Sequence, residues 1–154
     1  MSSIILGEAL KNRADLQTKI AQLTTRLGDN IKVQEGDAPA LSPQTLKMEL
    51  FTAIDALGAL IERINKTNIA TDFDERRKLS EALIERENLM KKRQVVQQMI
   101  DKASENSNRY SMSEIKFISV VNVEALSKEY DQLSKLWREL DNQIQAINWR
   151  TELL

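Results

Sequence analysis

A heptad pattern runs through residues 123–148, VEALSKEYDQLSKLWRELDNQIQAIN. Its apolar positions recur at alternating steps of three and four residues, which keeps them on one side of an α-helix. The members of this seam are Val123, Leu126, Tyr130, Leu133, Trp137, Leu140, Ile144 and Ile147. The segment therefore predicts a long amphipathic helix that packs lengthwise against a partner helix.

Three earlier segments share this helical periodicity, and the sequence predicts helices over residues 3–27, 43–65, 80–106 and 123–148. Gly28 follows the first helix, whereas Ser42, Ser80 and Asn122 are predicted N-caps for the other three. Four helices of similar length favour an antiparallel, coiled-coil-like four-helix bundle. We therefore predict an all-α fold in a single domain covering residues 1–154.

Two of the segments between helices have β-like sequences. Residues 31–35 alternate between apolar and polar side chains, and residues 115–121 are rich in β-branched residues. In an up-down-up-down bundle the first and third connections lie at the same end. We therefore expect these two segments to pair as a small two-stranded β element.

The second helix is more apolar than one partner surface requires. Its apolar residues cover roughly 200° of the circumference, against about 100° for a surface helix. Either this helix is central in the bundle, or it contributes a second face to an oligomer. We therefore expect a homo-oligomer that forms through this helix or through the exposed side of the fourth-helix seam.

Composition excludes several classes of function. The 154 residues include no cysteine and no histidine, which removes disulfides, thiol and imidazole zinc sites, and Cys-His or Ser-His nucleophiles. The 22 basic and 23 acidic side chains lack the basic excess typical of nucleic-acid binding. The first residues resemble neither a signal peptide nor a membrane span. We therefore expect a cytoplasmic protein without a nucleic-acid partner or a membrane span.

No nucleophile and base stand at a spacing that indicates catalysis, so we expect a non-enzymatic protein without a cofactor. Asp72 and Asp74, together with Asn68, are the residues with the chemistry for Mg²⁺ or Ca²⁺. They do not follow an EF-hand pattern, and further ligands at a fixed spacing are missing. We therefore predict no metal site.

Three arginines interrupt the apolar seams, namely Arg13, Arg86 and Arg93. A guanidinium in such a position needs carboxylate or backbone partners. The acidic residues close enough to serve are Glu49, Glu85, Glu129 and Asp141. One interpretation is a polar layer that fixes the register of the helices. The other is a pocket between helices that binds a small anion, phosphate or nucleotide-type ligand.

A second candidate site is the irregular stretch before the third connection ends, which contains Arg109, Tyr110, Glu114 and Lys116. These residues combine donors, an acceptor and an aromatic ring, and functional residues often lie on such loops. The alternative is an ordered connector whose Ser and Asn side chains cap the neighbouring helices.

Several short stretches resemble a family of small uncharacterised bacterial proteins, some of which are labelled septicolysin. These stretches are residues 13–16, 33–37, 63–68, 109–111, 113–117 and 148–149. The resemblance implies an all-helical bacterial protein, and its septicolysin label implies a membrane-active toxin. The chain departs from the family at residues 74–76, where a glycine turn is expected.

Overall fold

The computed structural model describes residues 3–105 and 115–154, in which four α-helices lie. They are α1 (Leu6–Asp29), α2 (Pro43–Ala70), α3 (Leu79–Ser104) and α4 (Val123–Asn148). The all-α fold class is confirmed, and α4 has its predicted bounds. α2 extends beyond its predicted end at residue 65, because Thr67 in the polar stretch that follows is fully buried on the inner face of the helix.

Two of the three predicted N-caps are confirmed. Ser42 Oγ accepts a hydrogen bond from the Thr45 N–H at 3.4 Å, and Asn122 Oδ1 accepts one from the Ala125 N–H at 3.1 Å. Ser80 is not a cap, because α3 already begins at Leu79. At the N-terminus of α3, the Glu81 carboxylate instead accepts a hydrogen bond from the Lys78 N–H at 2.7 Å, as in a capping box.

The helices pack in two antiparallel pairs, α1 with α2 and α3 with α4. A buried cluster in the first pair joins the last turns of α1 to the first turns of α2, and its members are Leu23, Leu46, Leu50 and Ala53. The second pair is tied together by contacts such as that between Arg86 and Asp141. α2 is therefore not a central helix, and one of its sides remains exposed.

The two pairs meet at one end of the molecule. The main core cluster draws on the start of α1, the end of α2, the start of α3 and the end of α4, with the segment after α4 added. Its buried members are Leu6, Ala9, Ile64, Leu79, Ala82, Leu140, Ile144, Ile147 and Leu153. Because this cluster contains side chains from all four helices, it fixes the two pairs relative to each other at this end.

The predicted two-stranded β element does not occur in the described residues. Residues 31–35 and 115–121 are exposed, and no β-bridge joins them. Their connections belong to different helix pairs, and contacts between the pairs are sparse. The core therefore does not hold the two connections together. The isolated bridges of the described chain lie at the other end, between Ile5 and Glu152 and between Asp72 and Lys78.

Backbone hydrogen bonds reinforce the end where the pairs meet. The Leu6 N–H donates to the Thr151 carbonyl at 2.7 Å, and the Leu153 N–H donates to the Ile4 carbonyl at 2.9 Å. Thr67 Oγ1 donates to the Arg63 carbonyl at 2.8 Å and accepts from the Leu154 N–H at 3.0 Å. We call this arrangement of α2 with residues 4–6 and 151–154 the terminal junction.

The connection between α2 and α3 turns on Asp74 rather than on the glycine expected from the family resemblance. Its Oδ1 accepts from the backbone N–H groups of Arg76 and Arg77 at 2.9 and 2.8 Å, and its Oδ2 accepts from the Arg77 guanidinium at 2.8 Å. An aspartate that binds the backbone two and three residues ahead closes a turn without a positive φ angle. These bonds, first of all the one from the Arg77 side chain, lower the pKa of Asp74 from 3.8 to about 2.

We predict that Asp74→Asn destabilises the fold in a pH-dependent way. Because the folded-state pKa is lowered, the carboxylate contributes stability above pH 3.8 and loses it as the pH falls through about 2. The difference in Tm between the two proteins should therefore be largest near neutral pH and close to zero near pH 2. Thermal unfolding followed by circular dichroism measures it. A difference that does not depend on pH would contradict this account.

Candidate functional site

A cleft of about 790 Å³ opens between the two helix pairs, next to the terminal junction. All four helices contribute to its lining, together with the residue that follows α4. Its polar and aromatic lining residues are Lys11, Arg13, Asn68, Arg86, Glu87, Trp137, Gln145, Asn148 and Trp149. Two of the three arginines that interrupt the seams, Arg13 and Arg86, are therefore brought into one site.

Arg86 is held by an ion pair across the second helix pair. Its Nη1 lies 2.6 Å from Asp141 Oδ1, and the two side chains are 28% and 22% exposed. Gln145 Nε2 donates to the same carboxylate oxygen at 3.4 Å. Arg86 thus ties α3 to α4, as the polar-layer interpretation requires, and also forms part of the cleft wall.

Arg93 does not line the cleft. Its Nη1 donates to Ser134 Oγ at 3.5 Å, and its guanidinium lies 5.7 Å from the ring centre of Tyr130 and 5.8 Å from that of Trp137. A guanidinium over aromatic faces is stabilised by cation–π attraction. Arg93 therefore packs α3 on α4 and supports Trp137 from outside the cleft.

Arg13 differs from both of these residues. It is partly buried in the wall of the cleft, yet in residues 3–105 and 115–154 it forms neither an ion pair nor a hydrogen bond. Lys11, one turn from Gly7 on the same helix, is also unpaired within that part of the chain. Glu87 is the one carboxylate on the described wall, and it forms an ion pair with Lys91 at 3.2 Å. The α1 side of the cleft therefore presents two cationic side chains without an ion-pair partner in the described residues, Arg13 from a partly buried position and Lys11 from an exposed one.

Asn148 adds an unpaired polar group to the cleft. Its side chain is only 4% exposed, and its amide has no hydrogen-bond partner among the residues that the structure describes. In that part of the chain, no unpartnered side-chain nitrogen or oxygen is completely covered. The amide therefore keeps its small exposed area at the cleft. Asn68, on the same wall, is likewise unpaired within the described chain.

Both tryptophans of the sequence line the cleft. Trp149 lies against Gly7, where a Cβ atom would stand 2.7 Å from its Cδ2 and 3.1 Å from its Cε2. Cδ2 and Cε2 form the fusion bond of the indole, so the ring packs with a face on the helix. Trp149 lines the cleft and is still 50% exposed.

The loop proposed as a second site is only partly within the described residues. Arg109, Tyr110 and Glu114 lie outside them, and Lys116 belongs to the exposed segment 115–121, away from the cleft. Asp72 and Asp74, considered above as metal ligands, bind Lys78 and Arg77 instead. The cleft is thus the place where the structure assembles predicted site residues.

The sequence did not single out Gly7 or Asn148 for this site, and Asn68 stood out only as a metal ligand. Gly7 lies in an apolar run, and the need for a bare Cα becomes evident only when Trp149 is placed on it. Asn148 follows the last position of the fourth-helix seam, where an asparagine is easily interpreted as a residue that ends the helix. Its separation from Asn68 in the chain gave no sign that the two share a wall.

Residues 13–153 match the model of a family of unknown function, DUF6847. The chain belongs to this family. It is also similar to a solved structure, described as the crystal structure of a functionally unknown conserved protein from Corynebacterium diphtheriae. The two are 38% identical with a TM-score of 0.90, and the match covers 99% of this chain and 100% of the other. No curated protein is detectably similar to the chain.

These relationships confirm the resemblance to an uncharacterised family. Neither description mentions septicolysin, so that part of the resemblance stays a prediction. No helix in the described part of the chain is both long and apolar enough to cross a membrane.

We predict that Gly7→Ala displaces the Trp149 ring and destabilises the protein by about 1–3 kcal/mol, as overpacking typically does. Gly58→Ala is the matched control, because a Cβ at this position in α2 meets nothing within 4 Å. It should stabilise the protein by about 0.4–1 kcal/mol. Urea unfolding gives both values, and a tryptophan emission shift should accompany Gly7→Ala alone. Equal behaviour of the two variants would contradict the close packing of Trp149 on α1.

Proposed function

We propose that the protein binds a small anionic ligand in the cleft between its helix pairs, with Arg13 and Lys11 as the charged contacts. The observation that carries this proposal is the unpaired state of Arg13 in the described structure. A partly buried guanidinium is costly unless it is paired, and arginine suits carboxylates and phosphates because it presents a planar fork of donors. A bound anion would supply the missing partner.

Arg86 provides an internal comparison. It occupies a similar seam position, and the fold supplies it with Asp141 at 2.6 Å. A purely structural role for Arg13 predicts an equivalent carboxylate, and none binds it in the described residues. The pocket interpretation therefore explains Arg13 better than the polar-layer interpretation does, whereas the polar layer explains Arg86 and Arg93.

The dimensions and chemistry of the cleft fit a binding site. Its volume of about 790 Å³ lies within the range of roughly 300–1,000 Å³ that small-molecule sites occupy. It combines apolar walls with a small number of polar groups, as such sites do. Among the residues that the structure describes, Asp74 and Arg77 have clearly shifted pKa values, and both lie in the α2–α3 connection outside the cleft. We therefore propose binding rather than catalysis.

Pyrophosphate is a suitable first probe, because it carries charge without a ring. We predict saturable shifts of both indole N–H signals in NMR spectra during a pyrophosphate titration at low salt. Arg13→Gln should weaken binding about tenfold or more, since a hydrogen bond to a charged group contributes about 1.5–3 kcal/mol. Arg26→Gln is the control, because Arg26 is an exposed residue of α1 outside the cleft. Absence of saturable shifts, or equal losses in both variants, would overturn the proposal.

A second candidate function is self-association through α2. Met48, Phe51 and Ile54 are 62%, 57% and 46% exposed, and they lie within about a third of the helix circumference. An apolar strip on a helix that packs chiefly on one neighbour favours a second copy as its cover. None of these three residues lines the cleft, so this interaction would leave the cleft free.

For self-association we predict a dimer or larger species at micromolar concentration, measured by size-exclusion chromatography with light scattering. Phe51→Gln should shift it to monomer. Ile69→Gln, an exposed apolar residue near the other end of α2, should leave the mass unchanged. A monomer in the unmodified protein would count against this function and would not affect the proposal for the cleft.

A further inference from the structure

We infer that the ligand of the cleft is a heteroaromatic phosphate of nucleoside monophosphate type, whose ring stacks on Trp149 while its phosphate binds Arg13 and Lys11. This inference rests on the proposed function, because it names the chemical class that the same site takes. It goes beyond the proposed function by assigning an aromatic ring to the ligand, which the charged residues alone do not indicate.

Trp149 supplies the stacking surface. Gly7 packs on one face of the indole, and Trp149 lines the cleft with half of its surface exposed. An indole that packs on the helix with one face is already ordered before a ligand arrives, so stacking on it carries little entropic cost. Any nucleobase can stack on such a ring, because every base presents a π-face.

The two unpaired asparagines supply hydrogen bonds for the edge of the ring. An amide offers a donor and an acceptor side by side, the pattern with which asparagine binds the edge of adenine. Asn148 lies directly before Trp149, and Asn68 approaches from the end of α2. A nearly buried amide without a partner is destabilising. A heterocycle edge can satisfy both its donor and its acceptor, whereas an ionised phosphate satisfies only the donor.

The charged residues lie further along α1 than Gly7, on which Trp149 packs. Lys11 and Arg13 follow Gly7 on α1 by about 6 and 9 Å along the helix axis. This distance is comparable with the separation of base and phosphate in a nucleoside monophosphate. The nearly neutral chain, with 22 basic and 23 acidic side chains, suits a single free nucleotide better than a polyanionic strand.

Calorimetric titrations with AMP, ribose 5-phosphate and pyrophosphate test the inference on the full chain. AMP should bind at least about fivefold more tightly than ribose 5-phosphate, since stacking one base on an aromatic side chain contributes at least that much. Trp149→Leu should reduce this preference while ribose 5-phosphate binding stays the same, and Trp149→Phe should reduce it less. Asn148→Leu should lower AMP binding alone.

The ratio of the two affinities within one variant is independent of the fraction of protein that folds. Equal binding of AMP and ribose 5-phosphate would overturn the inference and leave the proposed function standing. The inference would also be overturned, with the proposed function still standing, if Trp149→Leu weakened the binding of AMP and of ribose 5-phosphate by the same factor. If none of the three probes binds, the proposed function fails as well.

Discussion

The structure depends on the terminal junction, where Thr67 of α2 accepts a hydrogen bond from the backbone of Leu154. Thr67 is fully buried, and its hydroxyl serves α2 and the C-terminal segment at once. Around it, residues 4–6 pair with residues 151–153, and the Leu79 N–H donates to the Thr71 carbonyl at 2.8 Å at the start of α3. All four helices are thereby joined at one end, although each helix otherwise packs mainly on a single partner.

The cleft follows from this arrangement. Two helix pairs that are fixed at one end leave space between them beside the junction, and polar side chains from all four helices face that space. Arg86 and Arg93 lie within the second pair and find partners there, whereas Arg13 belongs to α1 and faces the space between the pairs. The same class of sequence anomaly, an arginine in an apolar seam, therefore has two different outcomes.

The sequence was sufficient to predict where the helices lie, but it was a much weaker guide to how they pack together. Periodicity located all four helices, because a buried stripe is a local property of the chain. Ser42 and Asn122 cap two of them as predicted. Periodicity could not show that the helices pack in two pairs, because an apolar seam indicates that a helix packs on another helix but not on which one. For this reason, the prediction that residues 31–35 pair with residues 115–121 was wrong. Arg13 and Arg86 were recognised as unusual, while the Gly7–Trp149 contact depends on segments at opposite ends of the chain.

The most direct test of the central claim is native-state hydrogen exchange at the terminal junction. The N–H groups of Leu6, Leu153 and Leu154 should exchange as slowly as those in the buried turns of the helices. Thr67→Val should accelerate exchange at Leu154, while Thr52→Val, which removes a similar hydroxyl from an exposed turn of α2, should leave it unchanged. Rapid exchange of these three amides in a protein whose helices remain protected would contradict the claim that the junction holds the two pairs together.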